Sequence, residues 1–336
     1  MIISRTPFRV SFFGGGTDFP DHYLEHGGAT LLTTINKFCY ISIHKLSPFF
    51  KHRFRASYAK TETVQEPSEF AHPLIRECLK YLQPRYGLEI AHVSDLPGRT
   101  GLGTSSAFTV GLLHALHGQA GNRITAEDLA REAILIEREK VGDAGGHQDQ
   151  YAAAYGGLLR LDFLPTACVN IKKLALRAER ILDLERHLTL LFTGVEQSAE
   201  QVLAVQKRRT RQNTGTLRAM QRMVDEAEAI LCGTGPLDAF GDLLHESWQL
   251  KKTLSRGISN TLVDDMYAAA RTVGARGGKL LGAGGRGFML LYVDPDKQPA
   301  VQAKLKGLLP VPFAFASAGS QIIFNEQDNA GGLINR

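Results

Sequence analysis

An α+β chain of two domains, divided near residue 185, is the architecture that the sequence predicts. Three observations predict it. Across the first half, short β-type runs alternate with segments of helical period. Across the second half, several long helices surround two apolar runs of strand length. The third observation is the length: 336 residues is about twice a usual domain.

The elements follow in order. Phe8–Phe13 is an apolar, β-type run that ends on Gly14-Gly15-Gly16. Residues 29–43 read as two β-rich runs broken at Asn36-Lys37. Pro73–Leu82 spaces Leu74, Ile75, Cys78 and Leu82 on one helical face. Leu88–Val93 reads as a strand. A helix over Ser105–His117 opens directly from a glycine loop. Thr125–Lys140 is the cleanest predicted helix. Thr125 is a good N-cap, Asp128 stands three residues on, Leu129, Ala133 and Ile136 share a face, and Gly142 stops it. The second half begins with a strand at Leu188–Phe192. Helices are expected over 199–209, 216–231, 237–250 and 262–273. The run 279–281, a glycine loop and the buried strand Phe288–Val293 come next. A helix over 298–308 and a strand over 321–324 close the chain.

Composition bounds the function. Hydrophobic residues at 43% and charged residues at 22% are ordinary for a globular chain, which can bury its core without disulfides or a structural metal. The net charge of +5 fits anionic small molecules as well as nucleic acid. The densest basic run, Lys207 to Arg211, lies in a polar helical stretch and reads as a solvated face rather than a nucleic-acid site. Cys39, Cys78, Cys168 and Cys232 are far apart, so there is no CxxC metal or redox pair. The N-terminus lacks a signal-peptide pattern and no apolar run approaches a membrane span. The expectation is a cytoplasmic protein, a monomer or homodimer, with no membrane or nucleic-acid partner.

Glycine is the outlier, and 17 of its 34 residues sit in four clusters. Gly98, Gly101 and Gly103 precede Thr104-Ser105-Ser106-Ala107 and a helix. Glycines let successive N–H groups face a ligand, and the helix terminus adds unpaired donors and partial positive charge. This is either a triphosphate cradle, including Gly98, Gly101, Leu102, Gly103, Thr104, Ser105 and Ser106, or a Gly/Ser turn that caps an ordinary helix. No Gly-Lys-Ser/Thr follows, so it is not a Walker A loop. Gly282, Gly284 and Gly287 match GxGxxG formally. A strand rather than a helix follows, which excludes a dinucleotide fingerprint. No protein-kinase element follows either. A tight turn between strands, lying against something bulky, remains. Glu137 and Asp149 form a third region in which one carboxylate could hold Mg²⁺ and the other a proton, or both could be solvated charges. Arg9 and Gly14 to Asp18 form the fourth. An Asp after a glycine turn can accept from neighbouring sugar hydroxyls.

Together the clusters resemble the GHMP small-molecule kinases, whose three motifs occur here in the family's order at Pro7–Asp18, Leu96–Ala107 and Lys279–Phe288. Within the family the similarity is to kinases of heptose phosphates. It rests on Phe12–Asp18, Gly146–Ala153, Lys251–Asn260 and Gly277–Gly285. Galactokinase-like members carry Gly-Glu-His where this chain has Gly14-Gly15-Gly16, and Arg286 stands where the third motif usually has glycine. The resemblance implies a first domain (1–185) like the second domain of a small-subunit ribosomal protein, and a ferredoxin-like second domain (186–336). It implies ATP and Mg²⁺, with Ser105 and Glu137 as the metal shell. Asp149 would be the catalytic base, and Arg9 would stabilise the developing alkoxide. The substrate-binding residues would be Gly15, Gly16, Thr17, Asp18, Gly284 and Gly285, with Lys252 and Arg256 on the sugar's far phosphate and Lys37 and Arg160 as further cations. Lys252 and Arg256 are expected to share a helical face. The implied reaction phosphorylates the C1 hydroxyl of a heptose 7-phosphate to a 1,7-bisphosphate, toward nucleotide-activated heptose and surface polysaccharide. Rival expectations are a C1 kinase for fucose, galactose or mannose, and a silent sugar- and ATP-binding regulator.

Overall fold

A computed structural model describes residues 1–194 and 199–326. In chain order the strands and helices are β1 (Ile2–Phe13), α1 (Pro20–His26), β2 (Gly28–Lys45), β3 (Phe54–Ser57), β4 (Thr61–Val64), α2 (Pro73–Leu82), β5 (Leu88–Ser94), α3 (Thr104–Gln119), α4 (Ala126–Ile134), α5 (Gln148–Tyr155), β6 (Leu158–Phe163), β7 (Val169–Lys173) and α6 (Ala178–His187). Then come β8 (Leu188–Phe192), α7 (Ala199–Arg208), α8 (Thr214–Cys232), α9 (Asp238–Thr253), α10 (Thr261–Thr272), β9 (Ala275–Leu280), β10 (Phe288–Val293), α11 (Gln298–Lys304), β11 (Leu309–Pro310), β12 (Phe315–Ala316) and β13 (Gln321–Asn325).

Two sheets organise these elements. The first follows the path β13-β1-β2-β5-β3-β4, with β12 and β6 also on β2 and β7 on β6. The second is β11-β8-β10-β9, antiparallel throughout. It opens at Leu188, while the late strands β12 and β13 return to the first sheet.

The expected break at Asn36-Lys37 is a bulge inside one long strand. Pro7 pairs with Phe38 but Phe8 pairs with Ile35, so Asn36 and Lys37 have no partner on β1. The bulge divides the work of β2. Its first half pairs with β6 and its second with β5.

Helix α3 packs across β1 and β2 and is buried on nearly all sides from Ser106 to Leu116. A helix apolar all round belongs inside. Its N-terminus lies beside Arg9 on β1, whose backbone N–H donates to Leu102 O, so the 98–103 loop meets that strand.

Three helices escaped the sequence reading. Pro20 starts α1, and α5 and α6 are short. The predicted helix over 125–140 is α-helical only to Ile134. Leu135–Lys140 continues as a π-type turn, although Thr125 caps as expected by accepting from the Asp128 N–H. The wider turn presents Glu137 to the interior beneath α3, a use of π-turns common at functional sites. Helix α9 runs past residue 250 but stops at Thr253. Arg256 therefore lies in the following turn, and the helical spacing expected for Lys252 and Arg256 does not form.

Candidate functional site

Arg9 is the hub. It sits on β1, 5% exposed, because strand and loop cover its stem. Its Nε and Nη2 each donate to one carboxylate oxygen of Asp149 at 2.7 Å, a bidentate pair. Its Nη1 donates to the Gly101 carbonyl at 2.5 Å, and its backbone N–H to Leu102 O at 3.0 Å. One guanidinium thus fixes the carboxylate against the glycine loop. Asp149 stands in the first turn of α5, where the helix terminus favours negative charge. Each of its oxygens keeps a lone pair for a substrate hydroxyl.

The 98–103 loop leads into α3 through Gly101 and Gly103, both in the left-handed region at φ +83° and +70°. Gly103 caps the helix without a side-chain bond, so first-turn N–H groups stay open to an anion. The Thr104 hydroxyl accepts from the Arg99 N–H, Ser105 is exposed, and Ser106 is buried. The Leu102 side chain is in the core, and a side chain at Gly98 would meet open space.

Glu137 is buried with Ser106, not Ser105, on its carboxylate. The Ser106 hydroxyl donates at 3.0 Å and Gln150 Nε2 at 2.7 Å, both to Oε2. Burial pushes its pKa above the ordinary value, against the pull of Arg138. Its Oε1 is buried with no partner among the described residues. A lone buried carboxylate oxygen beside hydroxyls suits Mg²⁺, which takes one or two protein carboxylates and leaves its remaining positions to phosphate and water. No cluster of three His, Cys, Asp or Glu side chains that could cage a metal occurs among the described residues.

Asp18 is buried too. Its Oδ1 accepts from the Gly16 N–H at 2.9 Å and its Oδ2 from the Gln148 N–H at 3.2 Å, and burial raises its pKa. Gly146 is pressed onto this carboxylate, leaving no room for a Cβ. The Asp18 carboxylate therefore clamps the Gly14–Gly16 turn to the start of α5, which carries Asp149. Thr17 locks the same turn through Gly14 O and Ala29 O, while Gly15 has ordinary space against Gln148. His147 is largely buried beside Tyr23, and burial drops its pKa to about 4.

The Gly282–Gly287 turn, in the third family motif, lies against the 98–103 loop. A Cβ at Gly282 would strike the Gly101 backbone, one at Gly287 the Thr100 carbonyl, and one at Gly284 the Ile258 carbonyl. Gly285 N–H donates to Ile258 O, and Asn260 Nδ2 donates to Gly285 O. The bulky neighbour expected of this turn is the chain's own backbone.

Of the expected phosphate cations, Lys252 is spent on Asp264 at 3.1 Å. Arg160 is held by Asp162, Asp225 and Glu228. Arg256 is exposed. Lys207 and Arg211 of the basic run face Asp21 and Glu25.

Against known proteins, residues 73–157 match the GHMP kinases N terminal domain and residues 216–310 the GHMP kinases C terminal model. The chain belongs to the GHMP kinase family. This kinase is 28% identical to the D-glycero-alpha-D-manno-heptose 7-phosphate kinase of Campylobacter jejuni, over 88% of this chain and 91% of that one. It is 29% identical, over 89% of its length, to the bifunctional fucokinase/GDP-fucose pyrophosphorylase of Arabidopsis thaliana, and the match spans 30% of that protein. Its fold is that of a D-glycero-D-manno-heptose 1-phosphate kinase from Bacteriodes thetaiotaomicron, with TM-score 0.79, 23% identity and coverage of 97% and 99%. Among the described residues no helix of the kinase is long and apolar enough to cross a membrane.

Sequence reasoning missed several site residues. Gln150 orients Glu137, and Gln148 bonds the Ser11 hydroxyl. Two buried lysines, Lys251 and Lys279, lie within the motifs that carry the resemblance, with no role that the residue pattern assigns. Each carried a signal. Lys251 continues the buried stripe of Leu244, Ser247 and Trp248 on α9, and Lys279 interrupts a strand whose neighbours are apolar or glycine.

Proposed function

We propose that this kinase transfers the γ-phosphoryl group of ATP to the C1 hydroxyl of a heptose 7-phosphate, giving the 1,7-bisphosphate and ADP. The Arg9 bridge between Asp149 and Gly101 carries the reading, because it ties a proton acceptor to the loop that would cradle phosphates. The sugar hydroxyl donates to a free lone pair of Asp149, which takes the proton. The C1 oxygen then forms its bond to the γ-phosphorus as the bond to the ADP oxygen breaks. Arg9 offsets the negative charge that develops on the C1 oxygen. The open N–H groups of the α3 terminus face the phosphates and need no reorganisation as charge shifts. Glu137, with Ser106 on its carboxylate, would hold Mg²⁺, and Ser105 stands next to Ser106 on α3. When bound, the ion supplies neutralisation of phosphate charge.

The heptose assignment is supported by similarity to the Campylobacter jejuni enzyme over nearly the whole chain. Arg256 and, behind it, Lys37 are the expected cations that no carboxylate holds among the described residues, and Arg256 is our candidate for the far phosphate. Similarity to the plant fucokinase favours a second reading, a C1 kinase for an unphosphorylated sugar. An ATP-consumption screen of sugars and sugar phosphates, with product analysis at C1, separates them. Heptose 7-phosphate should give the highest kcat/KM. Faster turnover of fucose or another free sugar overturns the heptose assignment.

A further inference from the structure

Lys251 and Lys279 are the unexplained groups of the site. Both are buried and neither makes an ion pair among the described residues. Lys251, in the last turn of α9, donates from Nζ to Gly282 O at 2.6 Å and reaches Leu280 O at 3.4 Å. Lys279, on β9, donates to Phe12 O at 2.7 Å. The charges that bear on Lys251 come from Arg9 on β1, Asp18 in the loop after it, Asp149 on α5 and Lys279 on β9. Lys251 and Arg9 thus stand together against Asp18 and Asp149, while burial and those two cations push the Lys279 pKa far down, so that Lys279 adds little charge. Arg9 already neutralises Asp149, and Asp18 is held by backbone donors. An unneutralised buried ammonium is costly, and the group able to compensate it is an incoming anion.

The connections give that charge a direction. Lys251 holds Gly282, Gly282 is packed on Gly101, and Gly101 accepts from Arg9. The clamp therefore fixes the third glycine turn on the loop beside the α3 terminus. The geometry points to Lys251 as a positioning residue for the phosphates of the nucleotide, clamping the third turn onto the 98–103 loop and supplying positive charge behind Arg9. It rests on the nucleotide reading of that loop and is independent of which sugar is the acceptor.

Burial lowers the Lys251 pKa to about 8, so its charge is present below pH 8 and lost above it. Calorimetric titration with MgATP, without acceptor sugar, tests the proposal from pH 7 to 9.5. Native affinity should fall about tenfold across that range, the order expected for one charge-assisted contact. Lys251→Met should bind about tenfold more weakly at pH 7 and show no slope with pH. Lys251→Arg should restore affinity at pH 7 and keep it at pH 9.5, because guanidinium does not deprotonate there. A flat native profile overturns the proposal, as does a Lys251→Met protein that keeps the native slope. If Lys251→Met does not fold, the native profile and the Arg variant decide alone. With no acceptor in the assay, a wrong sugar assignment leaves the outcome untouched.

Discussion

The environments of Asp149 and Glu137 sit on either side of the α3 terminus and solve opposite problems. Asp149 has its counter-ion built in, since Arg9 meets both of its oxygens. Glu137 is more deeply buried, takes Ser106 and Gln150 on Oε2 with the Arg138 guanidinium 3.5 Å away, and has Oε1 without a partner among the described residues. A carboxylate with a resident cation is fit to accept a proton in place. One buried with an empty oxygen is fit to receive a cation from outside. The difference separates the two chemical roles more clearly than the shared residue class does.

The largest expected effect breaks the first half of that comparison. Asp149→Asn should lower kcat by about 10²–10⁴-fold, the usual weight of a general base. MgATP affinity by calorimetry should stay within about threefold, because the first-turn donors of α3 are untouched. The variant should also melt lower than native, since it leaves the Arg9 guanidinium buried without its anion, a loss of about 1–3 kcal/mol. Turnover within tenfold of native sinks the base assignment.

Glu137→Gln should act with the opposite sign on stability. Folding raises the Glu137 pKa, so its charge costs stability at neutral pH, and the cost is returned as pH falls through the folded value. The neutral amide removes that cost, and the ligand-free variant should melt higher than native. Its Mg²⁺ requirement in turnover should rise by about tenfold or more, as for loss of a metal carboxylate. A lower melting point with an unchanged Mg²⁺ requirement makes Glu137 a structural residue.

Gly282→Ala probes what joins the two halves. A methyl group there must push the third turn off the Gly101 backbone, and overpacking of this kind costs about 1–3 kcal/mol. MgATP affinity should fall with stability. Unchanged affinity separates the third turn from the nucleotide loop.

The smallest effect concerns the far end of the sugar. Arg256→Ala should raise KM for a sugar phosphate by about tenfold and leave KM for its unphosphorylated analogue alone. Lys252→Ala should change neither by more than about twofold, because it breaks only a surface pair with Asp264. Equal effects of Arg256→Ala on both sugars remove Arg256 from phosphate recognition.

Much of this was legible in the chain. The Thr125 cap, the start and end of α2 and the strand β10 follow from local patterns, because side-chain period and capping depend on neighbours a few residues away. Arg9, Asp149 and Glu137 were visible as a constellation, and the structure brings Arg9 and Asp149 into contact. The pairing of Glu137 with Ser106 was not legible, because a π-turn sets it. The engagement of Lys252 by Asp264 was also hidden, because the partner lies 12 residues on and in another helix.

The sequence by itself determined the glycine clusters, the family and the elements with a clean local pattern. Those are properties of residue type and spacing, and they survive without knowledge of what packs on what. Tertiary structure alone decided what each glycine and each charge is for. Gly282 and Gly287 are glycine because two backbones from distant parts of the chain must touch. Lys251 is buried while Lys252 is spent on a surface pair because one turn of α9 aims adjacent side chains in different directions. Distance through space sets those roles, and no local pattern encodes it.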